Sequence, residues 1–286
     1  VSQAKLATLS HPNHQTVVQL WGGVAFGAKE LVIIGGPCTV ENREQMETVA
    51  TQLQSAPVQA LRGGVFKPRT SPYSFQGLGE EGLEILSEVR SRHTIPVVTE
   101  VMSIGQIEAT ATHADMLQVG SRNMQNFDLL KALGQANKPV LLKRGLAATI
   151  EEFIMAAEYI LSHGNSQVVL CERGIRSFDP CTRNVLDLGA VAALKQLTHL
   201  PVIVDPSHAV GKWELVAPLA KAAVACGADG LIVECHPEPE KSVSDARQAL
   251  SLDAMANLVH NLRPIATAVG REIAEPAMLP PLAVAS

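Results

Sequence analysis

The chain lacks any run approaching the eighteen or more consecutive apolar residues of a membrane helix, although 47% of its 286 residues are hydrophobic. Its opening segment, VSQAKLATLSHPNHQ, has neither the basic start nor the apolar stretch of a signal peptide. Cysteine is scarce, with five residues in no C-x-x-C pairing, which suits a reducing compartment better than a disulfide scaffold. A cytoplasmic protein is expected. Cys171, Cys226 and Cys235 read as packing residues and Cys181 as a loop residue. No G-x-G-x-x-G follows the first strand-like run, which weakens an open dinucleotide-binding sheet. Basic residues are outnumbered, 23 against 28 acidic, for a net charge of −5, so nucleic acid is not the expected partner.

Eight short apolar runs are present instead: 31–38, 58–64, 96–101, 116–122, 139–145, 167–174, 201–208 and 230–236. Each is rich in Val, Ile or Leu, as in parallel strands buried on both faces. Segments of helical period separate them; 43–56, for example, puts Met46, Val49, Ala50 and Leu53 on one face. The other helical candidates are 80–92, 103–112, 126–136, 149–163, 185–197, 213–226 and 244–262. Strict alternation implies right-handed crossovers and a parallel sheet. Eight units favour closure, so the expected fold is α/β, a (β/α)8 TIM barrel, over residues 31–273. Residues 1–30 are expected to form a small strand or hairpin over its amino-terminal end. The Ala- and Pro-rich segment 274–286 reads as a loose or docked tail.

Barrels of this kind hold their chemistry where the strands end. Eight of the 23 basic residues sit there: Arg62, Lys67, Arg69, Arg122, Lys143, Arg144, Arg173 and Arg176. An acidic chain that gathers cations at one rim is built around small anionic ligands. The loop after the second run is the densest. It carries Arg62, Lys67, Arg69, Thr70 and Ser71, with Pro68 and Pro72 to stiffen it. Guanidinium forks, an ammonium and hydroxyls are what phosphate or carboxylate requires. The cations exceed the needs of one phosphate, which points to two anionic substrates or one doubly anionic substrate.

Cys38, His208 and Glu234 follow the first, seventh and eighth runs, neighbours in a closed barrel, and Asp245 lies eleven residues after Glu234. Thiol, imidazole and two carboxylates suit Mn²⁺, Fe²⁺, Co²⁺ or Zn²⁺ better than Mg²⁺ or Ca²⁺. Each also has a structural alternative: Cys38 as packing, His208 as a hydrogen-bonded rim residue, Asp245 as a helix N-cap. Lys143 is the one strong Schiff-base candidate. Its anion-binding neighbours and Arg144 favour anion binding or proton transfer instead.

Taken together, GGPCTVE, LRGGVFKPRTSPYSFQGLGEEGL, VVTEVM, VGSRNMQNFDLLK, LLKRGLAATIEEF, LCERGIRSF, TRNVLDL, VDPSHAVG and VECHPEPEKSVSDARQAL resemble the 3-deoxy-D-arabino-heptulosonate 7-phosphate (DAHP) synthases of type I. The resemblance covers about residues 30–273 and is greatest to the subfamily that is itself similar to 3-deoxy-octulosonate 8-phosphate synthases. It implies a metal-dependent condensation of phosphoenolpyruvate with erythrose 4-phosphate, the first step of the shikimate pathway, in a homo-oligomer (dimer or tetramer). The KPRT stretch at Lys67–Thr70 matches the heptulosonate enzymes; the octulosonate enzymes carry an Asn-containing sequence there for arabinose 5-phosphate.

By matching motif, the resemblance implies a divalent ion, Mn²⁺ foremost, on Cys38, His208, Glu234 and Asp245. Phosphoenolpyruvate would be held by Arg62, Arg122, Lys143 and Arg173 with Gln118 nearby. Erythrose 4-phosphate would meet Lys67, Pro68, Arg69, Thr70, Ser71 and Asp205. In that reading the metal polarises the aldehyde, C3 of phosphoenolpyruvate attacks it, water adds at C2, and phosphate leaves. Lys143 is the candidate proton donor, and Glu100 and His236 are weaker ones. The alternatives are octulosonate phosphate synthesis and a Schiff-base phosphosugar aldolase. The ferredoxin-like and chorismate mutase domains that many relatives carry are not recognisable in these residues.

Overall fold

Alternate residues of each strand face different layers, and that alternation builds the molecule. The computed structural model describes residues 3–69 and 71–274. A two-stranded antiparallel hairpin, β1 (Val18–Gln19) and β2 (Ala25–Phe26), precedes the barrel. The eight barrel strands are β3 (Glu30–Gly36), β4 (Ala60–Arg62), β5 (Val97–Val101), β6 (Met116–Val119), β7 (Val140–Lys143), β8 (Val168–Glu172), β9 (Val202–Val204) and β10 (Gly230–His236). All pair in parallel with their sequence neighbours, and β10 pairs with β3 to close the cylinder. Two short strands extend the sheet: β11 (Leu250–Ser251) beside β10 and β12 (Glu272–Ile273) beside β3. Every apolar run of the sequence thus contains a barrel strand.

Leu31 and Ile33 face outward into the core between sheet and helices. Val32 and Ile34, with Ala60, Val98, Met116, Leu141, Val169, Ile203 and Ile232, fill the barrel interior. Val18, Leu20, Val24 and Phe26 of the hairpin join that inner cluster, so the hairpin plugs the amino-terminal end. The packed interior is a core and not a pore, as in barrels generally.

The helices are α1 (Arg43–Leu53), α2 (Glu80–His93), α3 (Ile107–His113), α4 (Phe127–Gln135), α5 (Ile150–Leu161), α6 (Leu188–Leu197), α7 (Pro206–Val210), α8 (Trp213–Ala225) and α9 (Leu252–Ala268). Side chains start several of them: Asn42 caps α1, Thr149 and Glu152 form a capping box on α5, and Asp187 caps α6. Each such cap contributes about 0.5–2 kcal/mol.

One helical expectation needs correction, and one short helix was not expected. The segment 244–262 is not one helix: Asp245 has φ 56°, Ala246–Gln248 forms a 3-10 turn, and α9 starts only after its Ser251 cap. A left-handed residue cannot continue a right-handed helix, and this one delivers its side chain to the rim. The five-residue α7, which carries His208, was not anticipated; Asp205 caps it and Pro206 occupies its first turn. The segment 274–286 lies, apart from Ala274, outside the described residues.

Candidate active site at the carboxyl rim of the barrel

Two residues beyond the apolar inner layer, the inward positions become polar. Ala60 is followed by Arg62, Val98 by Glu100, Met116 by Gln118, Leu141 by Lys143, Ile203 by Asp205 and Ile232 by Glu234; all six polar residues are buried. A strand alternates faces, so this step of two is what aims them along the barrel axis. On β8 the step is one pair longer, from Cys171 in the inner cluster to buried Arg173. Gly36 is the corresponding position on β3, with φ 138°; a Cβ there would lie 2.3 Å from the Arg62 carbonyl. A side chain at 36 would therefore push the first two strands of the barrel apart.

Buried charge must be paired or await a ligand. Lys143 Nζ donates to Asp205 Oδ2 at 2.5 Å, and Gln118 Nε2 donates to Glu100 Oε2 at 2.9 Å. By contrast, one terminal nitrogen each of Arg62, Arg173 and Arg69 is buried without a hydrogen-bond partner among the described residues. Burial also pulls the Arg173 guanidinium below its ordinary value. Three orphaned guanidinium donors around one hollow are what anionic ligands would complete.

The hollow has a volume of roughly 530 Å³. Of the residues expected to bind substrate, Arg62, Lys67, Pro68, Arg69, Ser71, Gln118, Arg122, Lys143 and Arg173 line it, as do Glu100 and Arg176. Thr70 lies outside the described residues. Asp205 is not among the lining residues: it is fully buried and bonds His208 and Lys143, which places it behind the site as a support. His236 is buried 3.3 Å from Glu41 and is not among the lining residues. A larger hollow of roughly 1000 Å³ lies by the hairpin, but its Arg92 and His93 are already bonded to Glu47.

At the edge of the rim hollow, ligand atoms of Cys38, His208, Glu234 and Asp245 all lie within 4.8 Å of one another. His208 Nε2 is 3.8 Å from Cys38 Sγ, 3.6 Å from Glu234 Oε2 and 3.9 Å from Asp245 Oδ2. Its Nδ1 lies 2.9 Å from Asp205 Oδ2, which orients the ring and leaves Nε2 for the cluster. Lys67 Nζ donates to both Sγ and the carbonyl of Cys38, at 2.9 Å each.

Burial dominates the electrostatics here. It pushes the His208 imidazole down to about 3, against the pull of Asp205, so that ring stays neutral. Burial raises Glu234 to about 7, and burial and then Glu234 raise the Cys38 thiol. Asp245 goes the other way: burial opposes the shift, but His208 and Arg183 hold its carboxyl well below the usual range. Glu234 Oε1 is buried with no hydrogen-bond partner among the described residues. A neutral imidazole, a thiol and an under-satisfied carboxylate in one half-buried cluster fit a divalent cation, whose charge would favour the ionised forms of the acids.

Sequence reasoning passed over several residues around this cluster. Arg183 Nη1 donates to Asp245 Oδ1 and Gln248 Oε1, both at 3.1 Å. Gln248 Nε2 donates to Glu234 Oε2 at 2.6 Å, and the Glu234 amide donates to Ser207 Oγ at 3.0 Å. Arg183 and Gln248 lie within quoted motif strings, yet nothing in their local spacing signals proximity to a ligand.

Fold and site together define a (β/α)8-barrel enzyme with a cation-rich anion pocket beside a cluster able to hold a metal ion. The sequence pattern described as "DAHP synthetase I family" matches residues 11–269. A phospho-2-dehydro-3-deoxyheptonate aldolase of Thermotoga maritima is 50% identical over 263 residues, covering 92% of this chain and 77% of that protein. A 2-dehydro-3-deoxyphosphooctonate aldolase of Syntrophotalea carbinolica is 34% identical over 261 residues, covering 85% of this chain and 93% of the relative. The crystal structure of the Thermotoga maritima DAHP synthase superposes with TM-score 0.92 at 47% identity, over 96% of this chain and 80% of that one. A truncated form of the synthase from Thermotoga maritima gives TM-score 0.87 at 45% identity, over 94% of this chain and 98% of that one. The chain belongs to the DAHP synthetase I family, and it is an enzyme of the transferase class.

Proposed function

We propose that this chain condenses phosphoenolpyruvate with erythrose 4-phosphate, releasing DAHP and inorganic phosphate. The observation that carries the reading is the set of orphaned guanidinium donors lining one buried hollow beside the four-residue cluster. The identity to a heptonate aldolase is 50%, against 34% to an octonate aldolase, which favours the four-carbon sugar phosphate.

In this reading Arg62, Arg122, Lys143 and Arg173 hold the phosphate and carboxylate of phosphoenolpyruvate, with Gln118 kept in place by Glu100. Bidentate guanidinium contacts fix the plane of the enol and so present its C3 to the second substrate. Lys67, Arg69, Thr70 and Ser71 hold the phosphate of the sugar. Cys38, His208, Glu234 and Asp245 hold a divalent cation, with Mn²⁺ ahead of Fe²⁺, Co²⁺ or Zn²⁺, and that ion supplies Lewis acidity toward the sugar aldehyde.

The C3–aldehyde bond forms as the enol double bond is consumed, water adds at C2, and phosphate leaves. Lys143, ion-paired with Asp205, presents the remaining hydrogens of its ammonium to the hollow and is placed to give a proton to the developing alkoxide. Glu100, with Oε1 free of partners, is placed to take the proton of the attacking water. A cytoplasmic homo-oligomer suits such an enzyme, and residues 31–273 serve as its catalytic barrel with residues 1–30 as the extension that closes it.

The test is phosphate release from phosphoenolpyruvate with erythrose 4-phosphate or arabinose 5-phosphate, before and after chelation. Release with erythrose 4-phosphate that stops on chelation and returns with Mn²⁺ supports the reading. A preference for arabinose 5-phosphate, or turnover indifferent to chelation, overturns it.

A further inference from the structure

We propose that Gln248 is a positioning residue for the metal centre: its amide fixes the Glu234 carboxylate, and Arg183 sets which way that amide points. The inference rests on the metal reading above and deepens it.

Gln248 is 2% exposed, at the end of the 3-10 turn that begins one residue after Asp245. Its Nε2 donates to Glu234 Oε2 at 2.6 Å, the same oxygen that lies 3.6 Å from His208 Nε2. Its Oε1 accepts from Arg183 Nη1 at 3.1 Å, and Arg183 also donates to Asp245 Oδ1 at 3.1 Å. Only one amide orientation satisfies these contacts. Flipped, the carbonyl would oppose a carboxylate and the NH2 group would oppose a guanidinium.

The chain Arg183–Gln248–Glu234 therefore locks the rotation of one acidic group, while Arg183 holds the other. Asp245 is left with Oδ2 facing Cys38 Sγ at 3.2 Å. A residue that only filled space here would be apolar, because a buried amide is costly unless its bonds are made. Arg183 is the less clean probe, since deleting a cation beside a metal site also changes the field. Gln248 is neutral, so its replacement by Met isolates geometry from charge.

Gln248→Met keeps the shape and removes both hydrogen bonds; Gln248→Glu keeps the shape and removes the donor. Chelator-stripped proteins are titrated with Co²⁺, following the near-ultraviolet thiolate absorption that Cys38 supplies on binding. Both variants are expected to bind Co²⁺ about 10–100-fold more weakly than the parent, as loss of an outer-shell partner does elsewhere. Turnover at saturating metal should stay within about threefold of the parent, a split that a general folding defect would not give. If Gln248→Met does not fold, Gln248→Glu decides.

Co²⁺ binding within about twofold of the parent in a folded variant overturns the inference, as does tighter binding by Gln248→Glu, which would mean that charge and not the amide bond matters. A parent protein that binds Co²⁺ without the thiolate band overturns the metal reading itself, a separately recognisable outcome.

Discussion

Replacing Asp205 with Asn tests how the rim is held together. Asp205 is fully buried, its Oδ2 accepts from Lys143 Nζ at 2.5 Å, and its Oδ1 accepts from the His208 backbone amide at 2.9 Å. Burial alone would raise its carboxyl, but its contacts with the His208 imidazole and the Lys143 ammonium hold it well below the usual range. Asn keeps the shape and removes the charge. Lys143, whose side chain is 5% exposed, then loses its ion-pair partner in the barrel interior. Breaking one side of a buried pair costs about 3–5 kcal/mol. For a protein of this size that lowers the melting temperature by roughly 5–8 °C.

The same substitution loosens the His208 ring, and loss of a carboxylate behind a metal-binding imidazole costs about 10–100-fold in metal affinity. The assays are a thermal melt, a metal titration and steady-state kinetics on one preparation. The expected result is a fall in all three, with kcat/KM down by about a hundredfold or more. A variant that melts, binds metal and turns over like the parent would refute the claim that Asp205 supports the site.

Arg173→Met should raise the KM for phosphoenolpyruvate by about 10–100-fold, the worth of a charged hydrogen bond, with the melting temperature unchanged or higher. Removing a buried guanidinium that has an orphaned nitrogen also removes its desolvation cost, so a strongly destabilised variant would contradict the assignment. Gly120→Ala would place a Cβ 2.2 Å from Glu100 Oε1 and should lower the melting temperature and cut kcat/KM at least about tenfold by displacing the Glu100–Gln118 pair. Adding Glu100→Ala to that variant should recover stability; if it does not, the crowding argument fails. Cys38→Ala should abolish metal-dependent turnover while leaving the barrel folded, and full metal-dependent activity in that protein would remove the thiol from the ligand set.

Most of the architecture was legible because burying a parallel strand on both faces demands an unbroken apolar run. The polar inner layer was legible only in part. Arg62, Lys143 and Glu234 stood out as charges at run ends, but the step of two that aims them inward was masked by apolar residues on both faces of each run. Reading i and i+2 along the runs would have separated Gln118 and Glu100 from the outward residues without any family comparison.

Local backbone chemistry was the harder part. The family motif put Asp205 beside the sugar phosphate, and its place as the cap of a five-residue helix turns it toward His208. Asp245 sits in a left-handed conformation that no helical pattern announces, and the turn behind it carries Gln248 into the cluster. Arg183 reaches Asp245 across 62 residues, a contact made by the fold and invisible to spacing.

Crystals grown with Mn²⁺ and phosphoenolpyruvate, measured at the manganese absorption edge, would place the ion directly. The expected anomalous peak lies about 2.0–2.5 Å from Sγ of Cys38, Nε2 of His208 and an oxygen each of Glu234 and Asp245. A peak elsewhere on the molecule, or a fully occupied rim hollow with no peak beside those four residues, would contradict the account.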